Sequence, residues 1–412
     1  MAILALLLSF SGYAVVLPGT TVLGIDLGWL PVRKAEQVLL DRLDWSSRTV
    51  TLCGEDVQLE ASLAADLGVL PDVAATVAAC RRPLWLLSRS QYPLVISVDQ
   101  TRLASFARDL SLRLARSPRD AKLTIVPGDE VKVVPDSPGR ALDVAAFQNM
   151  FYGGLRLHSV PGSIQLPVVE VHPRVRASDL EPFLPLRKIA SFTTYYTSGN
   201  DRAFNIGLAC ASLKEVFIGP REVFSFNSVV GARAPERGYR KAPTFVGEDT
   251  VDDYGGGVCQ VSTTVYVALL QAGFQVVERY CHSKPVDYVP LGLDATVVYD
   301  YLDLKMANAG DGPCLLRVTA SDGALTADVF GKLEMDLRIE VESLVLKEIP
   351  PEGLGATGDP GGSGGAEKPL RSGFLVETIR RYIRGGQLQR VEKLGTSMYP
   401  PEKPRLQSSQ PR

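Results

Sequence analysis

Histidine is nearly absent from this sequence: three residues in 412, at His158, His172 and His282. A basic excess is also missing. Lys+Arg number 44 against 46 Asp+Glu, for a formal net charge of −2. That argues against a dedicated nucleic-acid binder, which carries a surplus of positive charge. The six cysteines (Cys53, Cys80, Cys210, Cys259, Cys281, Cys314) include no CxxC pair. A zinc ribbon or dithiol redox motif is thereby disfavoured, and most of these thiols read as small buried apolar residues. Charge is wholly absent from residues 1–17, before Pro18 and Gly19 end the run. At ~1.5 Å rise per residue such a run just spans a ~30 Å hydrocarbon core, so residues 1–18 read as a signal peptide or membrane anchor. The rest of the chain is then expected outside the membrane.

What is present is ordinary for folded protein: 45% hydrophobic and 22% charged residues, in a length that suits two or three domains. The periodicities predict an α+β, multidomain chain. Residues 19–90 form a first unit, with a strand over Thr21–Gly28, a helix over Ala35–Leu43, a strand at Arg48–Leu52 and a helix at Val73–Cys80. Residues 91–175 repeat the style. A strand at Tyr92–Asp99 precedes an amphipathic helix, Gln100–Leu114, with Leu103, Phe106, Leu110 and Leu114 on one face. Strands at Lys122–Val126 and Glu130–Val134 follow, then a helix over 144–155 with Asp143 as N-cap, and a strand over 163–170. Residues 185–340 form the third unit. A Gly/Pro-rich linker covers 351–371, a β-hairpin turning at Gly385-Gly386 covers 373–402, and a polar tail of disordered composition covers 403–412.

The third unit holds the chemistry. Gly255-Gly256-Gly257 is followed by Val258-Cys259-Gln260, and apolar residues recur at helical spacing until Gly273, a natural stop. A helix of about four turns is predicted to start near Cys259. A thiol in a first helical turn feels the positive end of the helix dipole and unpaired N–H groups, which favour thiolate. Gly257 lets the backbone come close to a ligand, and the N–H groups of Cys259 and Gln260 stand where an oxyanion could be held. Phe274–Tyr280 reads as a return strand. At ~3.3 Å per residue it can bring His282 back to the level of Cys259. Asp294, before an apolar strand at Ala295–Tyr299, could orient the imidazole, with Asp303 as the alternative. The glycine triplet lacks the Lys-Ser/Thr of a phosphate loop, so nucleotide binding is discounted. Cys281 and His282 are adjacent and would face opposite sides of a strand, which disfavours a shared metal. His158 and His172 read as ordinary surface or satisfied histidines.

The run Phe224-Ser225-Phe226-Asn227, Val230-Gly231, Glu236-Arg237-Gly238-Tyr239, Ala242-Pro243, GGGVCQVSTTVY (255–266), Glu278-Arg279, His282-Ser283, Pro285-Val286, Tyr288–Gly292, Asp294–Val297 and Asp303-Leu304-Lys305 resembles the VanW-like family. The resemblance covers roughly 190–310, and residues 92–170 are similar to the peptidoglycan-binding domain that often precedes it. Cys281 and Phe204 depart from the family pattern, at positions that remove no proposed catalytic part. The resemblance implies a surface or secreted protein of a thick-walled bacterium. It further implies an L,D-transpeptidase that forms 3→3 cross-links between peptidoglycan stem peptides, without metal or cofactor. Carried over by motif, Cys259 is the nucleophile, His282 the base and Asp294 its orienting carboxylate. Arg202 and Arg237 suit substrate carboxylates, since a guanidinium fork matches them, and Tyr239 suits positioning. Two other readings stay open: a non-catalytic wall-binding or glycopeptide-resistance accessory protein, and a thiol carboxypeptidase of stem peptides.

Overall fold

The structure, a computed structural model, describes residues 15–80, 90–152, 156–157, 162–246, 249–334, 336–351 and 370–403. The apolar run before residue 15, His158, most of the 351–371 linker and the tail from 404 lie outside the described residues. The chain mixes helices with several small sheets, an α+β architecture. It divides into two compact units. One holds the described residues up to Ala121 with Pro135–Arg176, and the other holds Lys122–Val134 with the chain from Ala177 onward.

The first unit packs the helices Val32–Leu43, Val73–Ala79, Gln100–Leu114 and Val144–Asn149 around Leu39, Leu52, Leu94, Leu103 and Phe147, all fully buried. The carboxylates of Asp72, Asp99 and Asp143 accept from first-turn N–H groups and fix the starts of three of these helices. Three expected elements are shorter or broken. The strand at Thr21–Gly28 is a hairpin, because Leu23 and Gly24 turn the chain at φ +48° and +81°. Pro93 separates Ser90–Tyr92 from Leu94–Val98. The helix over 144–155 ends at Asn149, ahead of Gly153-Gly154, whose helix propensity is poor.

The second unit is built on a four-stranded antiparallel sheet in the order Arg187–Tyr195, Ala324–Gly331, Cys314–Ser321, Val216–Ile218. The hairpin Lys122–Val126/Glu130–Val134 docks there through Asp129, which meets Lys188 Nζ at 2.6 Å and Arg317 Nη2 at 2.7 Å. The helices Asp201–Ser212 and Val258–Gln271 pack on the sheet and on each other. The second of these, the cysteine helix, has Val258 and every residue from Gln260 to Leu270 buried. It is a core helix, enclosed on all sides, rather than a surface helix with one apolar stripe.

The cysteine helix stops at Gly273, at φ +88°, with Phe274 N donating to Leu269 O at 3.0 Å. The chain returns as the strand Gln275–Glu278, within the 274–280 stretch read from the sequence, and pairs with Lys305–Ala307. The strand expected at Ala295–Tyr299 does not form. Only isolated bridges occur there, because Val298 and Leu302 close a tight turn on each other. The C-terminal hairpin does form about Gly385-Gly386, and Leu337–Ile349 adds a third strand beside Gly373–Arg384.

This C-terminal sheet grips the cysteine helix. Arg380, 1% exposed, donates from Nη1 to Leu270 O at 3.2 Å and Phe274 O at 2.7 Å, satisfying carbonyls at the helix end. Its Nε and Nη2 bind Glu392 Oε2 at 3.0 and 2.8 Å. Replacing Arg380 by alanine should cost about 3 kcal/mol in urea unfolding, since it removes the side-chain donor to Phe274 O and the buried cation that pairs with Glu392. A loss under about 0.5 kcal/mol would show that water replaces the guanidinium at no cost.

Candidate active site

Cys259 is the second residue of the cysteine helix. The turn before it admits only glycine for two separate reasons. A Cβ at Gly256 would lie 2.5 Å from Ala242 O, and Gly257 is the N-cap at φ +103°, a conformation that strains any L side chain. Fully buried Asn205 holds this turn. Its Nδ2 donates to Arg240 O at 2.8 Å and Gly256 O at 3.2 Å, and its Oδ1 accepts from Arg240 N at 2.8 Å. One turn on, Ser262 Oγ donates to Ala295 O at 2.6 Å, and Thr263 Oγ1 accepts from Ala295 N at 2.9 Å. The polar residues of the helix therefore stitch it to the segment that carries Asp294.

His282 is 6% exposed and Asp294 fully buried. Asp294 Oδ2 lies 2.6 Å from both the main-chain N and ring Nδ1 of His282. That fixes the ring and leaves Nε2 for the thiol. Asp294 Oδ1 accepts from the Tyr399 hydroxyl and from Arg279 Nη2 at 3.1 Å. Arg279 also reaches Asp294 O at 2.7 Å, Gly292 O at 3.1 Å and Ser397 Oγ at 2.6 Å. Tyr399 OH in turn accepts from Gly292 N at 2.7 Å. The last strand of the C-terminal sheet thus supplies two of the groups that hold the carboxylate network.

The electrostatics set Cys259 apart from the buried thiols Cys80, Cys210 and Cys314. Burial pushes Cys80 up to about 11, and Cys210 and Cys314 up to about 12. Burial acts the same way at Cys259. There the hydrogen bond and positive charge of His282, a backbone hydrogen bond at Val297 and the charge of Arg233 outweigh it, and the thiol lies below its ordinary 9.0. For His282, burial pulls the imidazole down, but its bonds to Asp294 and Cys259 and their charges raise it from 6.5 to about 9. For Asp294, burial raises the carboxyl, but the His282 and Tyr399 bonds and the Arg279 charge hold it below 3.8. These opposed shifts favour a thiolate–imidazolium pair near neutral pH.

Cys259 opens on a cleft of about 390 Å³ lined by Tyr195, Asn200, Arg202, Pro243 and Tyr288. A larger hollow of about 700 Å³ at Ala272, Asn308 and Tyr382 has no imidazole beside it, and its one thiol, Cys314, is buried and shifted upward. Arg202 stands in the Cys259 cleft with Nη2 donating to Gln260 Oε1 at 2.7 Å. Gln260 is a strut. Its amide also donates to Thr194 Oγ1 at 3.0 Å and Tyr195 O at 2.8 Å, and its main-chain N–H is occupied by Gly257 O at 3.0 Å. The Cys259 N–H has no backbone acceptor among the described residues.

Three other residues named from the sequence fall elsewhere. Arg237 is exposed and lies against Gly231, and Tyr239 is buried in the apolar core. Asp303 accepts from Ser225 Oγ at 2.6 Å and from the N–H groups of Asn227 at 2.9 Å and Leu304 at 2.8 Å, which ties down the start of the short helix Phe226–Val230. Sequence spacing could not find Tyr399 or Ser397, which lie more than a hundred residues beyond Asp294. Arg279, three residues before His282, was visible only as part of the motif.

Alkylation of Cys259 by iodoacetamide reads the thiolate directly. Its rate should rise with pH through a midpoint below 9.0, and His282→Gln should move that midpoint above 9.0, because burial then acts unopposed. Tyr399→Phe, which keeps the ring and removes one charge-assisted bond to Asp294, should slow alkylation at neutral pH about tenfold. An unchanged pH profile in His282→Gln would disprove the pairing.

Comparison with known proteins gives the family. Residues 201–330 match the family described as "VanW like protein", and residues 59–156 match "Putative peptidoglycan binding domain". "Uncharacterized protein YoaR" of Bacillus subtilis is 30% identical over 287 residues, 68% of this chain and 93% of that protein. "Vancomycin B-type resistance protein VanW" of Enterococcus faecalis is 28% identical over 135 residues, 32% of this chain and 49% of that protein. No solved structure matches. A shared sequence over nearly the whole of YoaR, together with the two domain matches, makes this chain a member of the VanW-like family, with a peptidoglycan-binding domain ahead of its VanW domain.

Proposed function

We propose that this protein is a cysteine acyltransferase of peptidoglycan stem peptides, an L,D-transpeptidase in its reaction. The domain pair supports a cell-wall role at the coarser level. The observation that carries the finer reading is the relay from Asp294 through His282 to a thiol of lowered pKa that opens on a cleft. Such a relay suits acyl transfer, in which a thiolate attacks a carbonyl and the imidazolium hands its proton to the departing amine.

In this reaction Cys259 Sγ bonds to the carbonyl carbon of the third stem residue. The tetrahedral oxyanion faces the Cys259 N–H at the helix start. The C–N bond to the terminal D-residue breaks, and His282 Nε2 protonates the leaving amine. A side-chain amine of a second stem then attacks the thioester, His282 takes back a proton, and the thiolate leaves. Water in place of that amine would make the protein a carboxypeptidase. A wall protein needs its catalytic unit outside the cytoplasm. No helix among the described residues is long and apolar enough to cross a membrane; the uncharged run over residues 1–17 is the segment we propose for export or anchoring.

Incubation with a defined tetrapeptide muropeptide tests the reading. Mass spectrometry should find 3→3 dimers and released D-amino acid with the wild type, and neither with Cys259→Ala. Free tripeptide without dimers would assign a hydrolase. Equal products from Cys259→Ala would remove the enzyme reading and leave the wall-binding accessory role.

A further inference from the structure

Among the described residues of the second unit, one buried guanidinium lacks hydrogen-bond acceptors at both of its terminal nitrogens. Arg233 Nη1 and Nη2 are both buried, and neither has a hydrogen-bond partner. The guanidinium lies between two rings, 5.4 Å from the centroid of Phe226 and 6.0 Å from that of Tyr299. Ring faces soften the loss of water around a cation, but they accept none of its N–H bonds. Asp303 is close enough for its charge to act on Arg233, yet its oxygens are taken by Ser225, Asn227 and Leu304. Arg237 adds a like charge. An unmatched buried cation is costly, and costly groups of this kind concentrate where a ligand supplies the missing partner.

Arg233 lies close enough to Cys259 for their charges to interact. Its Cβ and Cγ pack on the glycine turn before Cys259, where a Cβ added to Gly255 would come within 2.7 and 2.9 Å of them. Its outer ring partner, Tyr299, is two residues beyond Val297, whose carbonyl contacts Cys259 Sγ at 3.5 Å. Its charge also favours the Cys259 thiolate. Phe226 is fully buried, whereas Tyr299 is half exposed, so the guanidinium is nearest to solvent on the Tyr299 side.

We propose that Arg233 is the receptor for the terminal carboxylate of the donor peptide, the group on the residue that leaves when Cys259 is acylated. This rests on the acyl-transfer reading and names the substrate feature that the site selects. A carboxylate carries the charge and the paired acceptors that a guanidinium fork lacks here. Such a receptor would hold the leaving residue on the far side of the scissile bond from the acyl chain. It would thereby restrict the enzyme to peptides with a free C-terminus.

Two tetrapeptide donors that differ only at the end, carboxylate against carboxamide, test this. The readout is the initial rate of Cys259 acylation by intact-protein mass spectrometry. Wild type should prefer the carboxylate about 10- to 100-fold. Arg233→Gln should bring the ratio near one mainly by slowing the carboxylate donor, and Arg233→Lys should keep part of the preference. Iodoacetamide, a neutral reagent, reports in parallel whether each variant still presents a folded, reactive thiol. A wild type that acylates equally from both donors overturns the assignment without any variant, as does an Arg233→Gln protein that keeps the full preference. No acylation from either donor overturns the acyl-transfer reading itself, and this assignment with it.

Discussion

A single oxygen, Asp294 Oδ2, receives both the main-chain N–H and the ring nitrogen of His282, and the site depends on that double contact. Removing a carboxylate from water costs several kcal/mol unless its lone pairs are met. Here the His282 N–H, the imidazole, Arg279 and Tyr399 meet them. These donors come from the segment after the return strand and from the end of the C-terminal sheet. Each is also tied elsewhere: Arg279 to Ser397, and Tyr399 to Gly292. The carboxylate is therefore rigid, and so is the ring it holds.

Rigidity on the other side comes from the cysteine helix. Its buried Ser262 and Thr263 bind Ala295, and its Gln260 ties Arg202 to Thr194 and Tyr195. At its far end, Arg380 binds Leu270 O in the last turn and Phe274 O just beyond it. The helix thus meets the Asp294 segment and the C-terminal sheet through hydrogen bonds, in addition to apolar packing. This explains why polar residues occupy fully buried positions in a core helix: each is satisfied, and each fixes where the thiol stands. The same burial that leaves Cys210 and Cys314 inert is overridden at Cys259 by a neighbouring imidazole.

Much of this was legible in local sequence. The glycine triplet, the helical spacing to Gly273 and a strand long enough to return gave the Cys259–His282 approach, and Asp294, ahead of an apolar run, was the first of two candidate carboxylates. The helix Gln100–Leu114 and the hairpin about Gly385-Gly386 appear where their patterns put them. What could not be read were relations between distant segments. Tyr399 and Ser397 act on residues a hundred positions away. Arg233 is distinguished from Arg237 by burial, which a row of arginines in a loop does not encode. Asp303 and Asp294 look alike in sequence, and only the turn closed by Val298 and Leu302 sends them to different partners. The expected strand at Ala295–Tyr299 failed for the same reason.

In the reaction we propose, the sulfur of Cys259 is the atom acylated. Acid quenching of a reaction with tetrapeptide stem, followed by peptide mapping, locates the acyl group. A tripeptidyl thioester on Cys259, lost on treatment with hydroxylamine, is the expected result. An acyl group on another residue, or an unmodified Cys259 while cross-linked product accumulates, would contradict it.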